Sequence, residues 1–152
     1  MRLQLTRRTD YAIRACIHLA AEDRCPISSR RIAERMDIPD GFLPQVMGDL
    51  TRAGIVGSVN GKNGGYCLRR DPASLSLFEV VEVVEGSGQF DRCVMRGTPC
   101  HDSPTCALHP VWSKAQAAFV GVLAAATIAD LAARQRTATN GDEHPRPERT
   151  NR

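Results

Sequence analysis

No stretch of this chain is apolar enough to leave water. The richest run, near residues 115–133, is dominated by alanine and falls short of the roughly 20 apolar residues that cross a bilayer. The first twenty residues, MRLQLTRRTDYAIRACIHLA, start charged, and Arg14 and His18 interrupt their apolar half. That excludes the continuous apolar core of a secretory signal. The expectation is a cytoplasmic protein with no membrane partner, a setting in which structural disulfides are disfavoured. A glycine-rich phosphate loop is missing, as is any convincing nucleophile–base pair, so an enzyme is not expected. No internal repeat is visible. Close Cys-x2-4-Cys pairs are missing too, which argues against a zinc knuckle and against a ferredoxin-type electron carrier.

What the chain does have is six cysteines in 152 residues, three of them in the polar window CVMRGTPCHDSPTCALH. Cys93, Cys100 and Cys106 stand at intervals of seven and six, and His109 follows the last by three. Wide intervals suit a large object with separated corners, such as an iron–sulfur cluster held by thiolates. A redox-active thiol loop fits the same residues. Gly97, Pro99 and Pro104 fix its course, and Arg92 and Arg96 favour thiolate over thiol. Spacing alone does not separate the two. Cys16 and Cys67 fall in apolar patterns and read as small core residues, while Cys25, beside Pro26, has no evident role.

Charge divides the chain. Residues 1–70 hold twelve Lys and Arg against seven Asp and Glu, a net +5; residues 71–133 hold three against seven, a net −4. A basic first half suggests a polyanionic partner. Its pattern agrees. Ala12, Cys16 and Leu19, with Ile13 and Ile17, have helical spacing in TRRTDYAIRACIHLAAE. Ser28 or Ser29 caps a second helix carrying Ile32 and Met36. A third runs through DGFLPQVMGDLTRAG, with Asp40 as cap, Leu43, Met47 and Leu50 as its buried stripe and Gly54 just past its end. Then IVGSVNGKNGGYCL alternates around a glycine-rich centre, as a hairpin does. Three short helices and a hairpin on a basic half-chain give the order of a winged helix-turn-helix.

Beyond it, SLSLFEVVEVVEG predicts a helix ending at Gly86 with Glu79, Glu82 and Glu85 on an exposed face. From Pro110 onward a single helix of about 25 residues is expected. Trp112, Ala115, Phe119, Val122, Ala126, Ala129 and Ala133 would form a coiled-coil-like seam for a second copy of the chain. The expected organisation is a DNA-binding domain over 1–70, a connecting helix and cysteine loop over 71–109, a dimerisation helix over 110–136 and a disordered tail over 137–152.

Over residues 1–135 the chain resembles the winged-helix iron–sulfur transcriptional regulators of the IscR and NsrR type. The resemblance rests on MRL, TDYAIRA, IAERMDIP, LTRAGIVGSVNGKNGGY, the three cysteines and SKAQAAF, in that order. TDYAIRA, GKNGG and CHDSPTC resemble the nitric-oxide-sensing NsrR branch more than the cluster-assembly branch. The resemblance implies a homodimeric repressor that binds an inverted-repeat operator in double-stranded DNA while its cluster is intact and lets go when nitric oxide destroys it. It implies Cys93, Cys100 and Cys106 as cluster ligands. Asp10 would be the fourth, from the partner subunit, and His109 the alternative. A 4Fe–4S cluster is favoured over 2Fe–2S. An iron- or redox-status sensor of the same family is the nearest alternative, and a zinc- or thiol-stabilised interaction module without DNA is the more distant one. Gln45 matches a recognition-helix glutamine, a residue type that pairs with adenine. Gly41 and Pro44 replace polar readers, and Asn60 replaces the family's wing arginine, leaving Lys62 to supply charge there. Arg7, Arg8, Arg30, Arg31 and Arg52 read as phosphate contacts.

Overall fold

The computed structural model describes residues 5–90, 92–93 and 106–139. The elements run α1 (Arg7–Ala21), α2 (Ser29–Met36), α3 (Leu43–Arg52), β1 (Val56–Val59), β2 (Gly65–Leu68), α4 (Leu77–Glu85), α5 (His109–Ala125) and α6 (Ile128–Thr139). Among the described residues, six helices and one antiparallel hairpin make a winged helix-turn-helix with a helical extension.

Local chemistry explains each start and stop. Thr6 caps α1 and Ser28 caps α2, each side chain accepting from a backbone N–H in the first turn. Asp37 closes α2 in the left-handed conformation, and Gly54 follows α3 at φ +72°, where a side chain would be strained. Asp40 is not the cap of α3. Pro39 opens a turn in which the Phe42 N–H donates to the Pro39 carbonyl at 2.9 Å. The helix therefore begins after Phe42, with no side-chain cap.

One core joins α1, α2, α3, the base of the hairpin, α4 and α6. Ala12, Cys16, Ile32, Val46, Met47, Leu50, Val56, Leu75, Val80 and Ile128 are all essentially inaccessible to solvent. Burial pushes the Cys16 thiol up to about 12, so it stays protonated and inert.

The C-terminal helix is not continuous. Ala126 is extended, and Thr127 starts a new helix by exchanging hydrogen bonds with Asp130, both at 3.1 Å. The Ala126 carbonyl accepts from Leu77 N, and Ser76 pairs with Thr127, so the N-caps of α4 and α6 lie side by side. The break turns α6 back onto α1, burying Ile128 and Ala132. Ala129 and Ala133 therefore do not extend a seam begun at Trp112. α6 runs to Thr139, past the expected boundary, and residues 140–152, most of the expected tail, lie outside the described residues.

Cys25 and Cys67 are disulfide-bonded, across 42 positions of sequence. Cys67 is thus neither a free core residue nor Cys25 without a role. Closing a loop of that length contributes about 4 kcal/mol in the chain-entropy treatment.

His18 is buried in α1, its Nδ1 faces Glu22 at 3.9 Å, and its Nε2 has no hydrogen-bond partner among the described residues. Burial lowers its pKa from 6.5; Glu22 opposes this, while Arg31 and Arg35 add to it. The folded state therefore resists protonation. Its stability should be full above pH 6.5 and decline as pH falls below that value toward the depressed one. Urea unfolding at neutral and mildly acid pH checks this. His18→Leu should lose less stability on acidification than the parent.

Candidate DNA interface and cysteine corner

The reading head is built from α2, the turn after it, and α3. Gln45 sits exposed in the first turn of α3, beside the exposed Gly41 and Pro44, where a helix entering a major groove presents its readers. Arg7, Arg30, Arg31 and Arg52 are exposed, and Asn60 and Lys62 lie at the exposed tip between β1 and β2. Several of these cations are already held. Arg30 pairs with Glu34 at 2.8 Å and Arg31 with Glu22 at 3.2 Å. Arg8 and Arg52 both pair with Asp49, whose side chain is only 11% exposed. Arg8 is therefore as much a fastener between α1 and α3 as a phosphate contact. Among the described residues, Arg7 and Lys62 make no ion pair.

The wing is fastened as well. Ile27 and Tyr66 exchange backbone hydrogen bonds at 3.0 and 2.8 Å, joining β2 to the segment entering α2. A side chain at Gly65 would collide with the Ile27 carbonyl, so only glycine allows this approach.

The second region is the start of α5. The Arg92 carbonyl accepts from Trp112 Nε1 at 3.3 Å and Gln116 Nε2 at 3.0 Å, and the Phe90 carbonyl accepts from Gln116 Nε2 at 2.5 Å. These bonds hold the half-buried Cys93 against the first turns of α5. Cys106 is exposed just before the same helix, its carbonyl accepting from His109 N at 3.1 Å. Cys106 and His109 thus stand at the N-terminus of α5, whose dipole favours thiolate, and the backbone leading into Cys93 is tied to the same helix at Trp112 and Gln116. Among the described residues, Cys106 forms no disulfide. Cys100 and Arg96 lie outside the described residues, and among the described residues no cluster of three metal-ligating side chains forms. Cysteine thiols on an anchored backbone are chemically suited to iron–sulfur ligation.

Asp10 is elsewhere, on α1. Its carboxylate is half-exposed and holds Arg14 through two contacts, at 2.8 and 3.1 Å. Arg14 also donates to the Met36 carbonyl at the end of α2, at 3.3 Å. Asp10 is therefore one ion pair from the helix-turn-helix.

Sequence reading missed Glu85. It is half-buried, not on an exposed face, and its Oε1 accepts from Thr6 N at 2.9 Å and from the Thr9 hydroxyl. Burial raises its pKa, but the hydrogen bonds from Thr9 and Thr6 outweigh that and the net shift is downward. Glu85 ties the end of α4, where the chain departs for the cysteine corner, to the start of α1. Arg8 carries the link onward to Asp49 of α3. No local signal marks a contact between residues nearly eighty positions apart.

Among the described residues, no helix is long and apolar enough to cross a membrane. Residues 5–134 match the family model described as "Rrf2: Iron-dependent Transcriptional regulator". The HTH-type transcriptional regulator NsrR of Shouchella clausii is 33% identical over 131 residues, 85% of this chain and 88% of that one. The solved structure of T. potens IscR superimposes with a TM-score of 0.69 at 28% identity, covering 94% of both chains. CymR, the global cysteine regulator of B. subtilis, does so with a TM-score of 0.72 at 25% identity, covering 88% of this chain and 98% of that one. These relatives are transcriptional regulators and not enzymes. With the family match spanning nearly the whole chain, the protein belongs to the Rrf2 family of transcriptional regulators.

Proposed function

We propose that this chain is a homodimeric repressor whose operator binding is governed by an iron–sulfur cluster on Cys93, Cys100 and Cys106, and that its signal is nitric oxide. The observation that supports the reading is that the chain on both sides of the cysteine loop is tied to α5: the Arg92 carbonyl, just before Cys93, accepts from Trp112 and Gln116, and the Cys106 carbonyl accepts from His109 N. When bound, the cluster supplies the reaction with nitric oxide. The chain's own residues transmit the result. Glu85 joins the approach to the cysteine corner to α1, and Arg8 joins α1 to α3. Asp10 of the partner subunit is proposed as the fourth ligand, with His109 as the alternative. Engaging Asp10 would alter its hold on Arg14 and, through Arg14, the end of α2. A ligand shifts the head only by binding one arrangement better than the other, and this path gives the two sites a shared geometry.

The test is anaerobic binding of a selected operator by reconstituted protein, titrated separately with nitric oxide and with an iron chelator. Release by a few equivalents of nitric oxide per cluster, with slow or no release by chelator, is the expected result. The family's description as iron-dependent favours a second reading, an iron-status regulator. Affinity that follows iron and ignores nitric oxide would establish that reading instead.

The proposed operator is an inverted repeat read by Gln45 from each subunit. Gln45→Ala should cost roughly 1–3 kcal/mol at its own base pair and little on non-specific DNA. Equal loss on every sequence would mean that Gln45 reads nothing. Neutralised phosphates should also make affinity fall steeply with salt.

A further inference from the structure

We propose that Cys25 and Cys67 form a thiol–disulfide site, separate from the cysteine corner, at which low-molecular-weight disulfides such as glutathione disulfide act on the DNA-reading head. The two Cα atoms are 5.4 Å apart, within the range of about 4.4–6.8 Å that a disulfide requires. That spacing does not rest on the bond alone. The Ile27–Tyr66 hydrogen bonds and the close approach of Gly65 to Ile27 hold the two segments together directly beside the pair. Reduction would therefore open the crosslink and leave the thiols facing each other, which makes closure reversible.

Exposure divides their roles. Cys25 is exposed and open to a small disulfide, whereas Cys67, on β2, is half-buried. The Cys25 thiolate attacks one sulfur of the small disulfide, forming a mixed disulfide and expelling one small thiolate. The Cys67 thiolate then attacks the Cys25 sulfur and expels the second. The protein pair gives up two protons and two electrons, and the small disulfide is reduced to two thiols. Cys16, buried in the core, takes no part. A regulator that meets chromosomal DNA works where glutathione keeps thiols reduced. The pair is open at rest and closes under oxidation.

Closure adds a covalent tie beside the Ile27–Tyr66 hydrogen bonds and so restricts the remaining movement of β1 and β2 relative to the reading helix. A wing already held in place loses less freedom when it docks, so the closed form should bind duplex about three- to tenfold more tightly. This affinity effect rests on the DNA-binding reading; the thiol chemistry does not.

Two measurements separate them. First, the full chain carrying Cys93→Ser, Cys100→Ser and Cys106→Ser is equilibrated in glutathione buffers of graded ratio, quenched with acid, alkylated and mapped by mass. The Cys25–Cys67 crosslink should appear within that series with two-electron steepness. A crosslink that survives the most reducing buffer would make it an inert structural bond. Thiols that persist in the most oxidising one would mean the site does not react. Either outcome overturns the proposal. Second, the cluster-loaded parent and the double variant Cys25→Ser, Cys67→Ser are titrated with a duplex selected from a random pool, with the cluster absorbance monitored throughout. Glutathione disulfide should tighten binding by the parent only. Equal affinity of the parent with the pair open and closed would overturn the link to the head. If neither protein selects any duplex, the DNA-binding reading fails, and the crosslink titration decides the thiol site by itself.

Discussion

Replacing any one of Cys93, Cys100 or Cys106 by serine is expected to remove the broad visible absorbance of anaerobically reconstituted protein and its operator binding together. A serine hydroxyl is a hard, protonated donor, and iron in a sulfur-rich site takes soft thiolates. Two described positions give the expectation a structural footing. Cys93 follows directly on Arg92, whose carbonyl is held by Trp112 and Gln116, and Cys106 lies one turn before His109. Each substitution is a change of one atom, and at Cys93 and Cys106 the adjoining backbone is held by hydrogen bonds, so the fold should survive, and circular dichroism can verify that. Operator affinity should fall to the non-specific level, on the order of a thousandfold or more. Asp10→Ala should weaken cluster retention and uncouple it from DNA affinity, because it removes both the proposed ligand and the Arg14 contact that reaches Met36. His109→Ala should matter less. Serine variants that bind the operator as the parent does would show that the cluster is not the switch.

The reading head was legible because its determinants are local. Ile32, Met47 and Leu50 repeat at helical spacing, Ser28 caps, Gly54 terminates, and all of them stand where periodicity and capping chemistry put them. The break at Ala126 was also written locally, in the Thr127–Asp130 capping pair, but an alanine-rich run on both sides favours helix strongly enough to hide it. What stayed invisible joins distant segments. The Cys25–Cys67 bond and the grip of Glu85 on Thr6 and Thr9 depend on packing that no window of sequence contains. The cysteine corner stands between these cases. Its thiols were evident from spacing, but the anchoring of Cys93 through Trp112 and Gln116 was not.

Val122→Glu should convert the protein to monomers. Within one protomer α5 has no buried residue, and Val111 and Val122 are 67% and 71% exposed. The spacing predicted Trp112, Phe119 and Val122 on one seam, but packing separates them. Phe119 stacks on Phe90, which meets Phe78 of α4 edge-on, and Trp112 reaches back to the Arg92 carbonyl. Those two residues cover their own chain. The outward face carries Val111, Ala115, Ala118 and Val122, small or branched residues that let a second helix approach closely. Members of this family are typically dimers, and we propose this exposed apolar face of α5 for the partner. Burying each valine there is worth about 1.5–3 kcal/mol, and a glutamate in its place would add an unpaired charge to an apolar contact. Phe119→Glu would also disturb the Phe78–Phe90–Phe119 packing, so its effect would mix folding with association; Val122→Glu leaves that packing intact. Sedimentation should give a folded monomer with weakened duplex binding, since one subunit alone reads only half of an inverted repeat. An unchanged dimer would remove this face of α5 from the interface.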